Sequence, residues 1–203
     1  MIRSLSCSAL LVFLASCSHA ASPAPPATAR TAQAAEPARD PVSSFQTVRT
    51  VLQSPRCVNC HPAGDAPLQG DDSHVHHQNI QRGSDGHGPK GLSCAACHGK
   101  QNSPASFGAH QPPGVSEGWH LPAADMPLVF AGLGSRALCE QLKDPKRNGN
   151  KSMQALVEHV EKAPLVLWGW SPGYARKPVS IPHAEFVAAF KTWSNAGGPC
   201  PAD

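Results

Sequence analysis

Cys57-Val58-Asn59-Cys60-His61 and Cys94-Ala95-Ala96-Cys97-His98 both read C-x-x-C-H, the spacing that attaches a c-type haem. Two thiols three positions apart on one turn can each reach a vinyl group of a porphyrin and form a thioether. The next imidazole then lies under the ring, where it can ligate iron. With this composition one such pentapeptide arises by chance about 0.02 times, so an accidental pair is on the order of 10⁻⁴. The motifs therefore predict two haem c groups, attached through Cys57, Cys60, Cys94 and Cys97. His61 and His98 are the expected proximal iron ligands.

Other chemistry is open to the same cysteines. C-x2-C…C-x2-C can hold zinc through four thiolates, but zinc needs no His after each pair, and these pairs are more widely separated than is usual for such modules. A thioredoxin-like C-x-x-C would need a βαβ context that the sequence lacks. Disulfides within each pair are strained at this spacing. Cys139 and Cys200 are left over, and in an oxidising compartment they are expected to pair.

The sixth ligand of each iron must come from His74, His76, His77, His87, His110, His120 or Met126. His76 lies in the segment joining the motifs, which is long enough to fold back over the first ring. His120 sits beside Trp119 and Leu121 in the most apolar part of the second loop. We expect these two to serve as distal ligands, with Met126 as the sulfur alternative.

Elements must position these groups. Phe45, Val48, Val51 and Leu52 make one apolar face of a first helix, with Ser43 or Ser44 as cap and Pro55 as stop. From Cys57 to about Met126 large apolar residues are sparse, and no helix or strand longer than a turn or two is expected. A stretch of that kind is unusual in a compact domain unless a cofactor packs it. Helical spacing returns with Leu138 and Leu142 behind Ser135, then with Met153, Leu156, Val157 and Val160 behind Ser152 or Asn150. Leu167 to Gly173 reads as a loop. A last helix carries Phe186, Phe190 and Trp193 and closes at Gly197-Gly198-Pro199. The expected fold is mainly α: cytochrome-c-like helices with long irregular haem-packed loops over 42–132, and a small C-terminal helical region over 133–203. Trp168, Trp170, Phe186, Phe190 and Trp193 are its expected packing.

The chain has 203 residues, a formal charge of +3, 8 Cys, 11 His and 21 Pro. No basic arm suggests nucleic-acid binding. Met1-Ile2-Arg3 followed by an apolar run from Ala9 to Ala15 reads as a secretory signal, too short to span a bilayer. Leu14-Ala15-Ser16-Cys17 resembles a bacterial lipobox, which implies a signal over 1–16 and a lipid on Cys17. Plain cleavage after Ser18-His19-Ala20 is the alternative. Residues 17–41, rich in Ala and Pro, read as a tether without a core. The chain is thus expected in the periplasm of a Gram-negative bacterium as a membrane-anchored lipoprotein.

From Cys57 to Pro201 the sequence resembles small dihaem cytochromes that accompany molybdenum-containing hydroxylases of the isoquinoline 1-oxidoreductase type. The resemblance is carried by the first motif with Pro62-Ala63-Gly64-Asp65, by His76 through Arg82-Gly83, and by the second motif. Further on it is carried by Trp119-His120-Leu121-Pro122, Lys143-Asp144-Pro145 with Asn148-Gly149, Glu158-His159, Trp168-Gly169-Trp170 and Gly198-Pro199-Cys200-Pro201. The Met expected near the end of the second loop stands as Met126, with a different context after it. The resemblance implies electron transfer from a molybdenum hydroxylase or aldehyde dehydrogenase-type partner towards a respiratory acceptor, with the catalytic centre on the partner. The competing class is a haem enzyme, a peroxidase or a sulfur-compound oxidoreductase subunit, with one iron position open. A haem-based sensor or scaffold subunit is a third. Abundant spare His residues favour the carrier.

Overall fold

In the computed structural model, which describes residues 40–202, the Asp40 carboxylate accepts the Ser43 N–H at 2.8 Å and Pro41 takes the first helical position. Together they open helix α1, Pro41–Leu52. An acceptor at the cap and a proline preset for helical φ are the favoured start, which is why the cap is neither Ser43 nor Ser44. It also takes Pro41 out of the expected tether. Ser44 instead lies buried within the helix, beside Phe45, Val48, Val51 and Leu52. Cys7, Cys17 and the signal and tether residues before Asp40 lie outside the described residues.

Pro55 does more than stop α1: it opens a second short helix, α2, Pro55–Val58, which carries Cys57. Beyond it the chain has only brief regular pieces. β1, Leu68–Gln69, pairs antiparallel with β2, His74–Val75, and single 3-10 turns cover His77–Asn79, Cys94–Ala96 and Ala105–Phe107. Backbone bonds between distant loops replace helices here. The Arg82 N–H reaches the Asp65 carbonyl, Leu121 N–H the Gly86 carbonyl, and Phe130 N–H the His61 carbonyl. Gly86, at φ +83°, passes so close that a Cβ would stand 2.0 Å from the Leu121 carbonyl oxygen; only glycine fits.

The remaining helices are α3, Ser135–Lys143; α4, Met153–Lys162; α5, Pro164–Trp168; and α6, His183–Asn195. Ser152 caps α4 as expected, its hydroxyl accepting the Ala155 N–H at 3.1 Å. Ser135 does not cap α3. Gly134 holds that place, and the Ser135 hydroxyl accepts from the Gln46 side chain of α1. α5 falls partly where a loop was expected. Pro164 starts it, and at five residues it is too short to show periodicity.

The chain is mainly α. α1 packs on α6, with Phe45 and Trp193 ring centres 5.0 Å apart, and α4 adds Leu156 and Val160. α1 therefore shares one core with the C-terminal helices. Cys139 and Cys200 form a disulfide across 61 residues, tying α3 to the end of the chain. Trp170 stacks on Phe186, and Phe186, Phe190 and Trp193 then meet edge-on in series. Trp168 departs from that set: its ring meets Trp119 edge-on at 4.8 Å and lies under Arg56. No helix among the described residues is long and apolar enough to cross a membrane.

Candidate functional site

Both C-x-x-C-H segments wrap into a single turn. The His61 N–H bonds the Cys57 carbonyl at 3.1 Å, and the His98 N–H bonds the Cys94 carbonyl at 2.9 Å. The four thiols are unpaired; Cys97 is exposed and the others half-buried. Burial pushes the Cys57 thiol up to about 11, against a Ser54 hydroxyl that donates to its sulfur. Burial likewise pushes Cys60 up to about 12, with Cys57 and Cys94 adding to the rise and Arg56 opposing it. Burial also raises Cys94. Burial thus holds these three thiols neutral, outweighing the Arg56 charge that favours a thiolate at Cys57 and Cys60.

The two motif histidines share a second feature. His61 Nδ1 lies 2.7 Å from the Leu128 carbonyl, and His98 Nδ1 lies 2.9 Å from the Pro113 carbonyl. A carbonyl only accepts, so Nδ1 carries the proton in each ring and Nε2 keeps its lone pair. Burial pulls His61 down to about 4, opposed by the Leu128 carbonyl and assisted by His159 and Arg82. Burial lowers His98 as well, opposed by Pro113 and assisted by His76 and Arg176. Each ring is steadied from one face. Phe130 stacks on His61 at 4.0 Å, and Trp119 stacks on His98 at 4.9 Å and 5°.

The residues next to these carbonyls are held by buried or half-buried carboxamides. The Gln141 carboxamide of α3 accepts from the Val129 N–H and donates to the Val129 carbonyl, which fixes the strand of chain holding Leu128 and Phe130. Gln53 of α1 donates to the Phe130 carbonyl at 2.7 Å. On the other side, Asn102 Oδ1 accepts from Gly114 N–H at 3.3 Å, next to Pro113, and from Trp168 Nε1 at 2.9 Å. Its Nδ2 donates to the Ser171 carbonyl. Gly114 is obligatory, because a Cβ there would lie 2.3 Å from the Gln101 carbonyl oxygen. So α3 positions His61 through Gln141, and α5 positions His98 through Asn102.

His76 donates Nδ1 to the His77 carbonyl at 2.6 Å, and its ring centre lies 6.2 Å from that of His98. It therefore stands by the second motif, whereas the sequence suggested the first. His120 turns Nδ1 to the Gly118 carbonyl at 3.2 Å and stacks on His87 at 5.0 Å. The Met126 sulfur accepts the Gly149 N–H at 2.8 Å. His74 has both nitrogens engaged, by Asp72 and Gln69. His110 sits in a left-handed turn, φ +57°.

Three groups were not legible as site residues. His159 of α4 lies off the apolar stripe and is exposed. Yet it is near enough to His61 and His120 for their charged forms to repel, and desolvation lowers its own pKa first of all. Arg82 is 1% exposed and spans the two halves of the site. It donates to the Pro122 carbonyl at 2.8 Å and the Gly64 carbonyl at 2.9 Å, with Asp65 at 3.4 Å. Arg56 is held by the Gly70 carbonyl and Asp71, each at 2.7 Å; burial lowers its pKa, opposed mainly by Asp71. Nothing in an isolated arginine's position announces such a clamp. Among the described residues no three His, Cys, Asp or Glu side chains gather to hold a metal ion. Val75, Leu92 and Phe107 stand exposed within the loops. No family model, curated protein or solved structure matches the chain.

Proposed function

We propose that the chain is a dihaem c-type cytochrome that relays electrons and performs no substrate chemistry. One observation carries the reading. The same construction occurs twice: two unpaired thiols on one turn, followed by an imidazole whose Nδ1 is tied to a backbone carbonyl and whose Nε2 is free. That tie is the usual way a protein fixes the tautomer and direction of a metal-bound histidine. The thiols fit thioether formation better than a four-thiolate zinc site, which would need the sulfurs gathered and deprotonated.

Cys57 with Cys60, and Cys94 with Cys97, would hold the two groups, with His61 and His98 as axial ligands. Bound haem supplies a one-electron Fe(III)/Fe(II) couple. The residues of this chain orient the imidazoles, keep them neutral and supply loops that lack an apolar interior of their own. The exposed Val75, Leu92 and Phe107 are apolar surface that a porphyrin face can cover. On the resemblance, the donor is a molybdenum hydroxylase or aldehyde dehydrogenase-type enzyme and the acceptor a respiratory component. Export and a lipid on Cys17 would place the protein at the periplasmic face of a membrane. The haem-enzyme reading requires an iron with an open position, visible as a high-spin ferric signal.

The test is covalent haem content after expression with cytochrome maturation machinery. Denatured protein should retain two haems per chain, and Cys57→Ala with Cys60→Ala should leave one. Release of all haem on denaturation, or one zinc per chain, refutes the reading. Cys17→Ala should move the protein from the membrane fraction to the soluble periplasm; a mature chain beginning at Ala21 without lipid rejects the anchor.

A further inference from the structure

We infer that one iron is held between His98 and His76, so that the segment leaving the first attachment turn supplies the axial ligand of the second haem. This rests on the dihaem reading above and adds a pairing that the motifs do not contain.

Two imidazoles on opposite sides of one metal, with about 2.0 Å from metal to nitrogen and about 1.1 Å from nitrogen to ring centre, have centres about 6.2 Å apart. His76 and His98 are 6.2 Å apart at 54°. The histidine pairs that pack directly are closer: His87 with His120, and His74 with His77, both at 5.0 Å. Rotation about an axial bond leaves the angle between the rings free, so 54° is no obstacle.

His98 and His76 each commit Nδ1 to a backbone carbonyl, of Pro113 and of His77. Each therefore leaves Nε2 as the nitrogen that can face a metal. His74, two residues before His76, has neither nitrogen free.

The His76 N–H is fixed to the Pro67 carbonyl at 2.9 Å, at the foot of the β1–β2 hairpin. Immediately beyond, Gln78 and Asn79 both take positive φ, +62° and +50°, a conformation that non-glycine residues hold only when the surroundings impose it. The hairpin in turn hangs from the first motif. Leu68 N–H bonds the Asn59 carbonyl at 2.9 Å, and the Asn59 side chain bonds the Gly70 carbonyl at 2.9 Å. The first attachment turn and the second iron's ligand thus belong to one piece of structure, which interlocks the two haems.

Electron paramagnetic resonance and optical spectra of the full haem-loaded chain test this. His76→Ala should turn one haem of the two high-spin, and added imidazole should restore it. His76→Met should keep that haem low-spin with a sulfur-to-iron charge-transfer band. In a chain lacking Cys57 and Cys60 the His76→Ala change should still appear; in one lacking Cys94 and Cys97 it should not. His120→Ala should leave the second-motif haem low-spin. Two low-spin haems in His76→Ala, or a change confined to the first-motif haem, overturn the pairing. Absence of covalent haem from the unsubstituted chain defeats the dihaem reading itself, and is seen before any substitution is made.

Discussion

Arg82 donates to the carbonyl of Pro122, forty residues further on, from a position closed to solvent. The same guanidinium donates to the Gly64 carbonyl, so a single fork joins the loop after the first motif to the loop after the second. Only a side chain with several fixed donors and permanent charge can do this. Arg82→Met keeps much of the volume and orphans both carbonyls. Gly64 is exposed and its carbonyl can turn to water, so with about 1–3 kcal/mol for the half-buried Pro122 carbonyl we expect a loss of roughly 1–3 kcal/mol in urea unfolding of the haem-loaded protein. Arg82→Lys should recover part of it. An unchanged midpoint for Arg82→Met would show that the clamp is incidental.

His61 gives a pH prediction with a definite sign. Iron and proton compete for Nε2, and only the neutral ring binds iron. Burial lowers this imidazole to about 4, so the neutral form persists well below the ordinary histidine range of about 6.5. The first-motif haem should stay low-spin as the solution is acidified through that range, and lose its ligand only below about pH 4, because an iron bond holds Nε2 against the proton further still. A high-spin transition centred on the ordinary histidine value would contradict the burial and the Leu128 contact.

The helices were largely legible because amphipathic spacing is a local property. Phe45 to Leu52 and Leu156 to Val160 each announce their face. The caps were less so. Asp40 and Pro41 together outcompete Ser43, and a choice between adjacent polar residues depends on which one the following proline favours. The attachment residues were legible as a motif, whereas their support was not. Gln141 and Asn102 act on backbone atoms 12 residues away, and no periodicity links a carboxamide to a distant N–H. His76 was picked out as a candidate, but its partner depends on how the β1–β2 hairpin folds back, a tertiary outcome that spacing cannot encode. Trp168 belongs by sequence to the C-terminal packing set, but its indole N–H finds Asn102.

Cysteine accounting gives a third expectation. Haem-loaded protein unfolded without reductant should show no reactive thiol among Cys57, Cys60, Cys94, Cys97, Cys139 and Cys200, and reduction should expose two. Haem-free chain should show four before reduction. Removing the bridge as Cys139→Ala with Cys200→Ala should cost about 4 kcal/mol on the chain-entropy estimate for a loop of this length. Mass spectrometry after alkylation reads the counts directly, and two reactive thiols at Cys139 and Cys200 without reductant would reject the bridge.

The last expectation uses the symmetry of support around the two imidazoles. Gln141 grips Val129, beside the Leu128 carbonyl that orients His61. Asn102 grips Gly114, beside the Pro113 carbonyl that orients His98. If the amides act through these carbonyls, each variant should perturb one haem and spare the other. Gln141→Leu should broaden the ferric signal and shift the reduction potential of the first-motif haem alone. Asn102→Ala should do so for the second, and it should also free the Trp168 indole N–H. Each change should destabilise by roughly 1–3 kcal/mol, the cost of leaving a buried backbone group unpaired. Stability alone does not separate positioning from packing, so the haem that responds is the deciding measurement. Equal shifts at both haems in either variant would mean that these amides serve the fold as a whole and not a particular imidazole.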